Sequence, residues 1–280
     1  MKIRYILLMF LLIVCLIGIS GCTDSGDSEP EVSEPESPEP ISDVSTVPKA
    51  SGSTSTEILN ETVNITGENQ AYPVYTAAPA AEGKYPAVVL IHSFNGFEAG
   101  YQEMVDMLAA DGFVVVAPQW QTYSRSPPDL EVETLVRNSV SYLEGRDDVD
   151  PEKLGLTGFC AGGRYTMLFL PQIKEFKSGV AWYGFPYSGG SETQPNEPAS
   201  LIDQLDMPML IVHGTRDEPS NISDIYRYAG ELDAADKYFE MKVYQGEPHG
   251  FMIEDGRLSE SFVAQDAYGE MTDFFNRTLN

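Results

Sequence analysis

A chain of 280 residues, 42% of them hydrophobic, is long enough for one large domain and a short targeting segment. Its formal net charge of −26 opposes binding to nucleic acid, whose phosphates need compensating cations, and favours solubility. The same acidity argues against an anionic substrate unless local cations line the site.

The first 22 residues read MKIRYILLMFLLIVCLIGISGC. Lys2 and Arg4 precede an apolar run from Ile6 to Ile19, which has the form of a secretory signal. The ending Ile19-Ser20-Gly21-Cys22 resembles a lipobox, which implies cleavage before Cys22 and its lipidation. The alternative is an uncleaved membrane anchor, which the length marginally permits. Either arrangement leaves Lys2 and Arg4 inside, attaches the chain to the cell membrane, and faces the remainder outward. Residues 1–21 are therefore expected to be a signal peptide. Residues 22–56, rich in Ser, Pro, Glu and Thr, are expected to be a disordered tether. Of three cysteines, Cys15 lies in the apolar run and Cys22 at the lipidation site, so Cys160 has no disulfide partner in the exported domain. It is either a buried small side chain or a reactive thiol.

From residue 57 the pattern changes. TVNIT and YPVYTA read as short strands, and the continuous apolar run over 85–93 as a strand buried on both faces. Residues 99–112 carry Met104, Met107 and Leu108 at helical spacing, with Gly112 as a stop. A second buried strand follows over 113–120, then a helix over 130–145 with Leu135, Val136, Val140 and Leu143 on one side. Residues 153–159 form a third strand, followed by a helix from Ala161. Further strands are expected at 178–184, 207–214 and 238–246, with helices at 222–235 and 259–279. Alternation of strand and helix implies one α/β domain over 57–280, a mostly parallel sheet covered on both faces. Asn60, Asn64, Asn221 and Asn276 each begin an N-x-[ST] sequon.

Between the third strand and its helix stands Gly158-Phe159-Cys160-Ala161-Gly162. A nucleophile flanked by glycines at this junction is a nucleophile elbow, and the following helix aims its N-terminus at the sulfur, favouring thiolate. A thiol nucleophile needs a base and a residue to orient that base. His249 follows the last strand and Asp217 follows the strand over 207–214. Both therefore project from the same sheet edge as Cys160, in the order nucleophile, acid, histidine found in α/β-hydrolases. His213 is expected to bond backbone in the turn that delivers Asp217. His92 is expected to shape the loop after the first buried strand.

These three motifs, GFCAG, GTRD and PHGF, resemble those of the dienelactone hydrolase family, and the resemblance covers roughly 57–280. It implies an α/β-hydrolase fold, Cys160 as nucleophile, His249 as base, Asp217 as its orienter, and oxyanion donors at the backbone N–H of Ala161 and Phe94. The Ala161 donor also follows from elbow geometry. The sequence departs from the family at one position. Members that open dienelactones carry a glutamate in the loop after the first buried strand that helps to ionise the cysteine. Ser93 stands in its place, which speaks against dienelactone itself as substrate and leaves ester hydrolysis intact.

The mouth of the site is expected to be lined by residues 119–130 and 184–206. Trp120, Tyr123, Arg125, Arg164, Trp182, Tyr183 and Phe185 are the candidates to touch a ligand. Arg164 could hold a substrate carboxylate or pair with a neighbouring acid, and the aromatics could be pocket or core. There is no metal cluster, phosphate loop or dinucleotide fingerprint, so no metal or cofactor is expected. The reading is an exported, membrane-attached, monomeric hydrolase of small ester or lactone substrates acting through an acyl-enzyme. A thioesterase or peptidase using the same residues, or a catalytically silent binding domain, are the alternatives.

Overall fold

The computed structural model describes residues 56–280. The signal, Cys22 and the tether up to residue 55 lie outside the described residues. Ten strands and five helices follow: β1 (Ile58–Thr66), β2 (Ala71–Pro79), β3 (Tyr85–Ile91), α1 (Ala99–Ala110), β4 (Val114–Pro118), α2 (Asp129–Glu144), β5 (Val149–Phe159), α3 (Ala161–Phe169), β6 (Phe176–Trp182), β7 (Met209–Gly214), α4 (Ile222–Ala234), β8 (Phe239–Tyr244), β9 (Ile253–Glu254), β10 (Arg257–Leu258) and α5 (Phe262–Leu279). A 3-10 segment, Pro198–Gln204, interrupts the loop before β7.

Eight strands form one sheet in the order β1-β2-β4-β3-β5-β6-β7-β8. The β1–β2 and β2–β4 pairs are antiparallel. From β4 through β8 every pair is parallel. This is the mostly parallel α/β-hydrolase arrangement. The apolar runs of the inner strands follow from their position, since side chains on both faces meet helices. Val89 and Ile91 of β3 join one core cluster, while Val88 and Leu90 join the other. The first cluster gathers Leu135, Val136, Val140 and Leu143 of α2 with residues of α3 and α4; the second gathers Met104, Val105 and Leu108 of α1 with Met271, Phe274 and Phe275 of α5.

Element ends also have local causes. Gly112, at φ +99°, ends α1 in the left-handed region, and the Phe113 N–H closes the turn on the Leu108 carbonyl at 3.1 Å. The last helix starts three residues later than its sequence pattern implied. Ser261 supplies the reason, because its hydroxyl accepts the Ala264 N–H and caps the helix there. The parallel strands bring the loops after β3, β5, β6, β7 and β8 to one edge, where a doubly covered sheet of this kind presents its ligand site.

Candidate active site

Strand β5 ends at Phe159 and α3 begins at Ala161, so Cys160 alone makes the turn. Its backbone sits at φ 58°, ψ −111°, a strained conformation for a residue with a side chain. The glycines explain how the turn closes. A Cβ on Gly158 would strike the Gly162 carbonyl, one on Gly162 the Ile91 carbonyl, and one on Gly163 the Trp182 carbonyl. Helix α3 therefore starts in direct backbone contact with β3, β5 and β6, with Cys160 at its N-terminus. The Cys160 N–H is held by the Trp182 carbonyl at 3.1 Å, and its carbonyl accepts from the Arg164 N–H at 3.0 Å. The sulfur lies partly open to a cavity.

The acid and the histidine arrive from the loops after β7 and β8. His249 Nδ1 and Asp217 Oδ2 are 2.8 Å apart. Asp217 is buried, and its other oxygen accepts the Ser220 N–H at 2.7 Å. With both oxygens engaged, the carboxylate is fixed in orientation, and it fixes the His249 ring. His249 Nε2 is buried and meets no hydrogen-bond partner at standard geometry among the described residues, while the Cys160 sulfur lies close enough to favour its charged form. Burial opposes the charged form of His249, but the hydrogen bond to Asp217 and the neighbouring Cys160 sulfur outweigh it, and the pKa is raised to about 9. Tyr183 and Phe185 wall the ring, with centroids at 5.0 and 5.6 Å.

A direct consequence concerns titration. In the folded protein the His249 imidazole should titrate near pH 9, as read from its ring proton or nitrogen shifts by NMR. Asp217→Asn and Cys160→Ala should each move it down towards the ordinary value near 6.5. A wild-type midpoint at 6.5 would contradict this electrostatic description.

The other two histidines have different surroundings. His213 Nε2 lies 2.8 Å from the Ser220 carbonyl and 3.4 Å from Asp217 Oδ2. Burial holds its pKa down, so it braces the 214–220 turn as a neutral ring. His92 is buried against Trp120 in a stacked pair at 5.3 Å, with Nδ1 donating to the Ser93 carbonyl at 2.8 Å. Burial pushes its pKa down to about 4. Trp120 Nε1 donates to the His92 carbonyl at 3.2 Å, and Gln121 to the Phe94 carbonyl at 3.1 Å. This bracing sets the 92–96 loop beside Cys160. Among the described residues no acceptor engages the amides of Phe94 or Ala161.

Cys160 and His249 open onto a cavity of about 290 Å³, at the lower end for small-molecule sites. Ser93, Glu98, Tyr101 and Tyr183 line it, together with Asp255 and Gly256. Of the seven expected ligand contacts, Tyr183 lines the cavity, Phe185 packs against the His249 ring, and five are placed elsewhere. Trp182 is fully buried, stacked on Phe159 at 4.9 Å and donating to Thr157. Trp120 is a brace under the 92–96 loop, as described. Tyr123 is half exposed and bonds the Ala71 carbonyl at 2.6 Å. Arg164 is buried and makes two 2.8 Å bonds to both oxygens of Asp129, so its guanidinium is neutralised inside the protein. Side chains one turn into α3 point into the helix layer rather than up to the cavity, so of the two roles open to Arg164 the fold gives it the ion pair. Arg125 packs over the Phe94 ring at 4.7 Å.

Glu98, Tyr101 and Asp255 were not among the expected site residues. Glu98 immediately precedes α1 and Tyr101 lies in its first turn. Asp255 and Gly256 form the two-residue turn between β9 and β10, with φ of 49° and 76°. Both values are positive, as a type I′ hairpin requires, and the Asp-Gly pair was its sequence signal.

The dienelactone hydrolase family model matches residues 124–279, more than half of the chain. A chlorophyllase model matches residues 46–170. A Methylorubrum extorquens protein named as a carboxymethylenebutenolidase is 27% identical over 234 residues, covering 77% of this chain and 80% of the relative. A Salmonella typhimurium protein of the same name is 25% identical, covering 76% of this chain and 85% of that one. Among solved structures, a Klebsiella pneumoniae protein named as a dienelactone hydrolase superposes with a TM-score of 0.73 at 24% identity, covering 79% of this chain and 99% of that chain.

Proposed function

The chain belongs to the dienelactone hydrolase family and is a lactone or ester hydrolase; from this premise we propose that it works through Cys160, His249 and Asp217 by way of a thioester acyl-enzyme. The observation that carries the proposal is the elbow geometry of Cys160 beside an Asp217-bound His249 that lines the same cavity and feels the Cys160 sulfur.

In the resting site the raised pKa of His249 favours the imidazolium. The Cys160 sulfur, as thiolate, attacks the substrate carbonyl carbon. The carbonyl oxygen becomes the oxyanion, and the amides of Ala161 and Phe94 donate to it. Collapse of the tetrahedral adduct breaks the bond to the leaving oxygen, which takes the proton from His249 Nε2. A lactone stays tethered as the acyl group with a free hydroxyl; an ester releases its alcohol. Neutral His249 then takes a proton from water, whose oxygen attacks the thioester carbonyl. The second collapse releases the acid and returns Cys160 to thiolate and His249 to imidazolium. Asp217 keeps the Nδ1 proton in place throughout and stabilises the positive ring.

The test uses a chromogenic short-chain ester. A burst of leaving group equal to the enzyme concentration, with the acyl group recovered on the Cys160 peptide by mass spectrometry, is the expected result. Acyl transfer to another residue, or no turnover of any ester or lactone, would reject the proposal.

Export and membrane attachment belong to the same proposal. They rest on Lys2 and Arg4, the apolar run, and the Ile19-Ser20-Gly21-Cys22 boundary. Mature protein should begin at Cys22 and partition into detergent. Cys22→Ala should abolish lipid attachment while the soluble domain keeps its activity. Unmodified full-length protein in the cytosol would overturn this part.

A further inference from the structure

We propose that the cavity beside Cys160 selects esters and lactones that carry no negative charge and favours those with a cationic group, with Glu98 and Asp255 setting that preference. This rests on the hydrolase reading above and names its substrate class.

The cavity offers two carboxylates and no lysine or arginine. Its one group able to carry positive charge, His249, is already bound to Asp217 and adjoins the Cys160 sulfur. Three arginines of the neighbouring elements are engaged elsewhere. Arg164 pairs with Asp129 in the helix layer, Arg125 lies on the Phe94 ring, and Arg257 of the hairpin pairs with Glu103 at 2.5 Å. In a cavity of about 290 Å³, any bound substrate lies well within one Debye length of both carboxylates. A substrate carboxylate there meets two like charges without a counter-ion. The α3 N-terminus does not answer it, because its Ala161 amide is directed at the developing oxyanion.

The acidic wall is built by the fold. The Gly100 N–H donates to the Gly256 carbonyl at 2.9 Å, which seats the β9–β10 hairpin on the start of α1. A Cβ on Gly100 would lie 2.6 Å from Leu258 N and 2.7 Å from Arg257 C, so only glycine permits this approach. The Leu258 N–H donates to Glu103 at 3.1 Å, and the type I′ turn then holds Asp255 at the rim. Glu98 is directly below, its Oε1 3.7 Å from where a Cβ of Gly256 would stand. Glu98 is half-buried and accepts no side-chain hydrogen bond among the described residues. Desolvation pushes its carboxyl above the ordinary value, and a bound cation would relieve that cost. Tyr183, buried and uncharged, completes the wall and adds no cation to it.

The experiment compares three p-nitrophenyl esters matched in length: valerate, monoglutarate and 4-(trimethylammonio)butyrate. The expected order of kcat/KM at pH 7.5 is cationic, neutral, anionic, with at least a ~10-fold spread between the extremes that narrows in high salt. Glu98→Gln and Asp255→Asn should each narrow the cationic-to-anionic ratio, and together bring it to about two-fold or less. Asparagine tolerates the left-handed turn, so the hairpin persists in these variants. Equal rates, a preference for the anion, or a ratio indifferent to both substitutions would overturn the proposal. Failure to hydrolyse any of the three would count instead against the hydrolase reading. The preference would then be read by calorimetry from binding of the matched carboxamides, where equal affinities would overturn it.

Discussion

Cys160→Ala and His249→Ala should each lower kcat/KM by about 10³-fold or more, and the double variant should be little worse than either. Non-additivity is the informative part. If His249 acts only through the Cys160 sulfur and the atoms bonded to it, removing the sulfur leaves the ring nothing to act upon. Two independent contributions would instead multiply. Asp217→Asn should cost somewhat less, because an amide can hold the ring but cannot stabilise its positive form. Controls come from the other histidines. His213 and His92 are buried, are held neutral by desolvation, and bond backbone carbonyls. Their alanine variants should lose stability before they lose intrinsic turnover in the molecules that remain folded. Equal losses from His92→Ala or His213→Ala, with the fold intact by circular dichroism, would mean that the base has been misassigned.

Much of this arrangement was legible in the sequence because it follows from short-range rules. Buried strands announce themselves as apolar runs, as in Val88–Ile91, and a parallel sheet places every following loop on one edge. The elbow was legible because Gly158 and Gly162 answer a steric demand that only backbone contact creates. What escaped was the lateral wall of the cavity. Glu98 and Asp255 are more than 150 residues apart, and they meet only because Gly100 lets a hairpin lie on a helix start. The Asp255-Gly256 pair signals a turn, but no local rule says what that turn covers. Two aromatic candidates, open to pocket or core from the sequence, went to the core. Trp120 and Trp182 do stand next to the loops of the candidate site in the chain, yet a large ring is more stable in the core, and both indole N–H groups found partners there.

Arg164 illustrates the same point with the largest expected stability effect. From spacing it could bind a substrate carboxylate or pair with an acid; the fold places it opposite Asp129, the first residue of α2. Its Nε also donates to the Ser188 carbonyl at 2.9 Å and its Nη2 to the Asn196 carbonyl at 3.1 Å. One guanidinium thus ties the helix after Cys160 to α2 and to two points of the 183–197 loop. Arg164→Met removes the charge while leaving the Asp129 carboxylate buried and two loop carbonyls without their donor. Breaking a buried pair from one side costs about 3–5 kcal/mol, because the remaining ion is uncompensated. In a domain of this size that corresponds to a fall in Tm of roughly 6–20 °C. Adding Asp129→Leu should recover a large part of the loss, since replacing both charges removes the desolvation problem that a single substitution creates. Two measurements separate this role from ligand binding: thermal unfolding of the single and double variants, and kcat/KM for anionic and neutral esters well below the lowered Tm. The structural role predicts a large Tm change with the anionic-to-neutral ratio unchanged. A selective loss of the anionic substrate, with little change in Tm, would instead put the guanidinium in the substrate site. The ratio is the sharper readout, because a helix packed directly behind Cys160 could lower all rates together when loosened, whereas only a missing counter-ion would single out the charged ester.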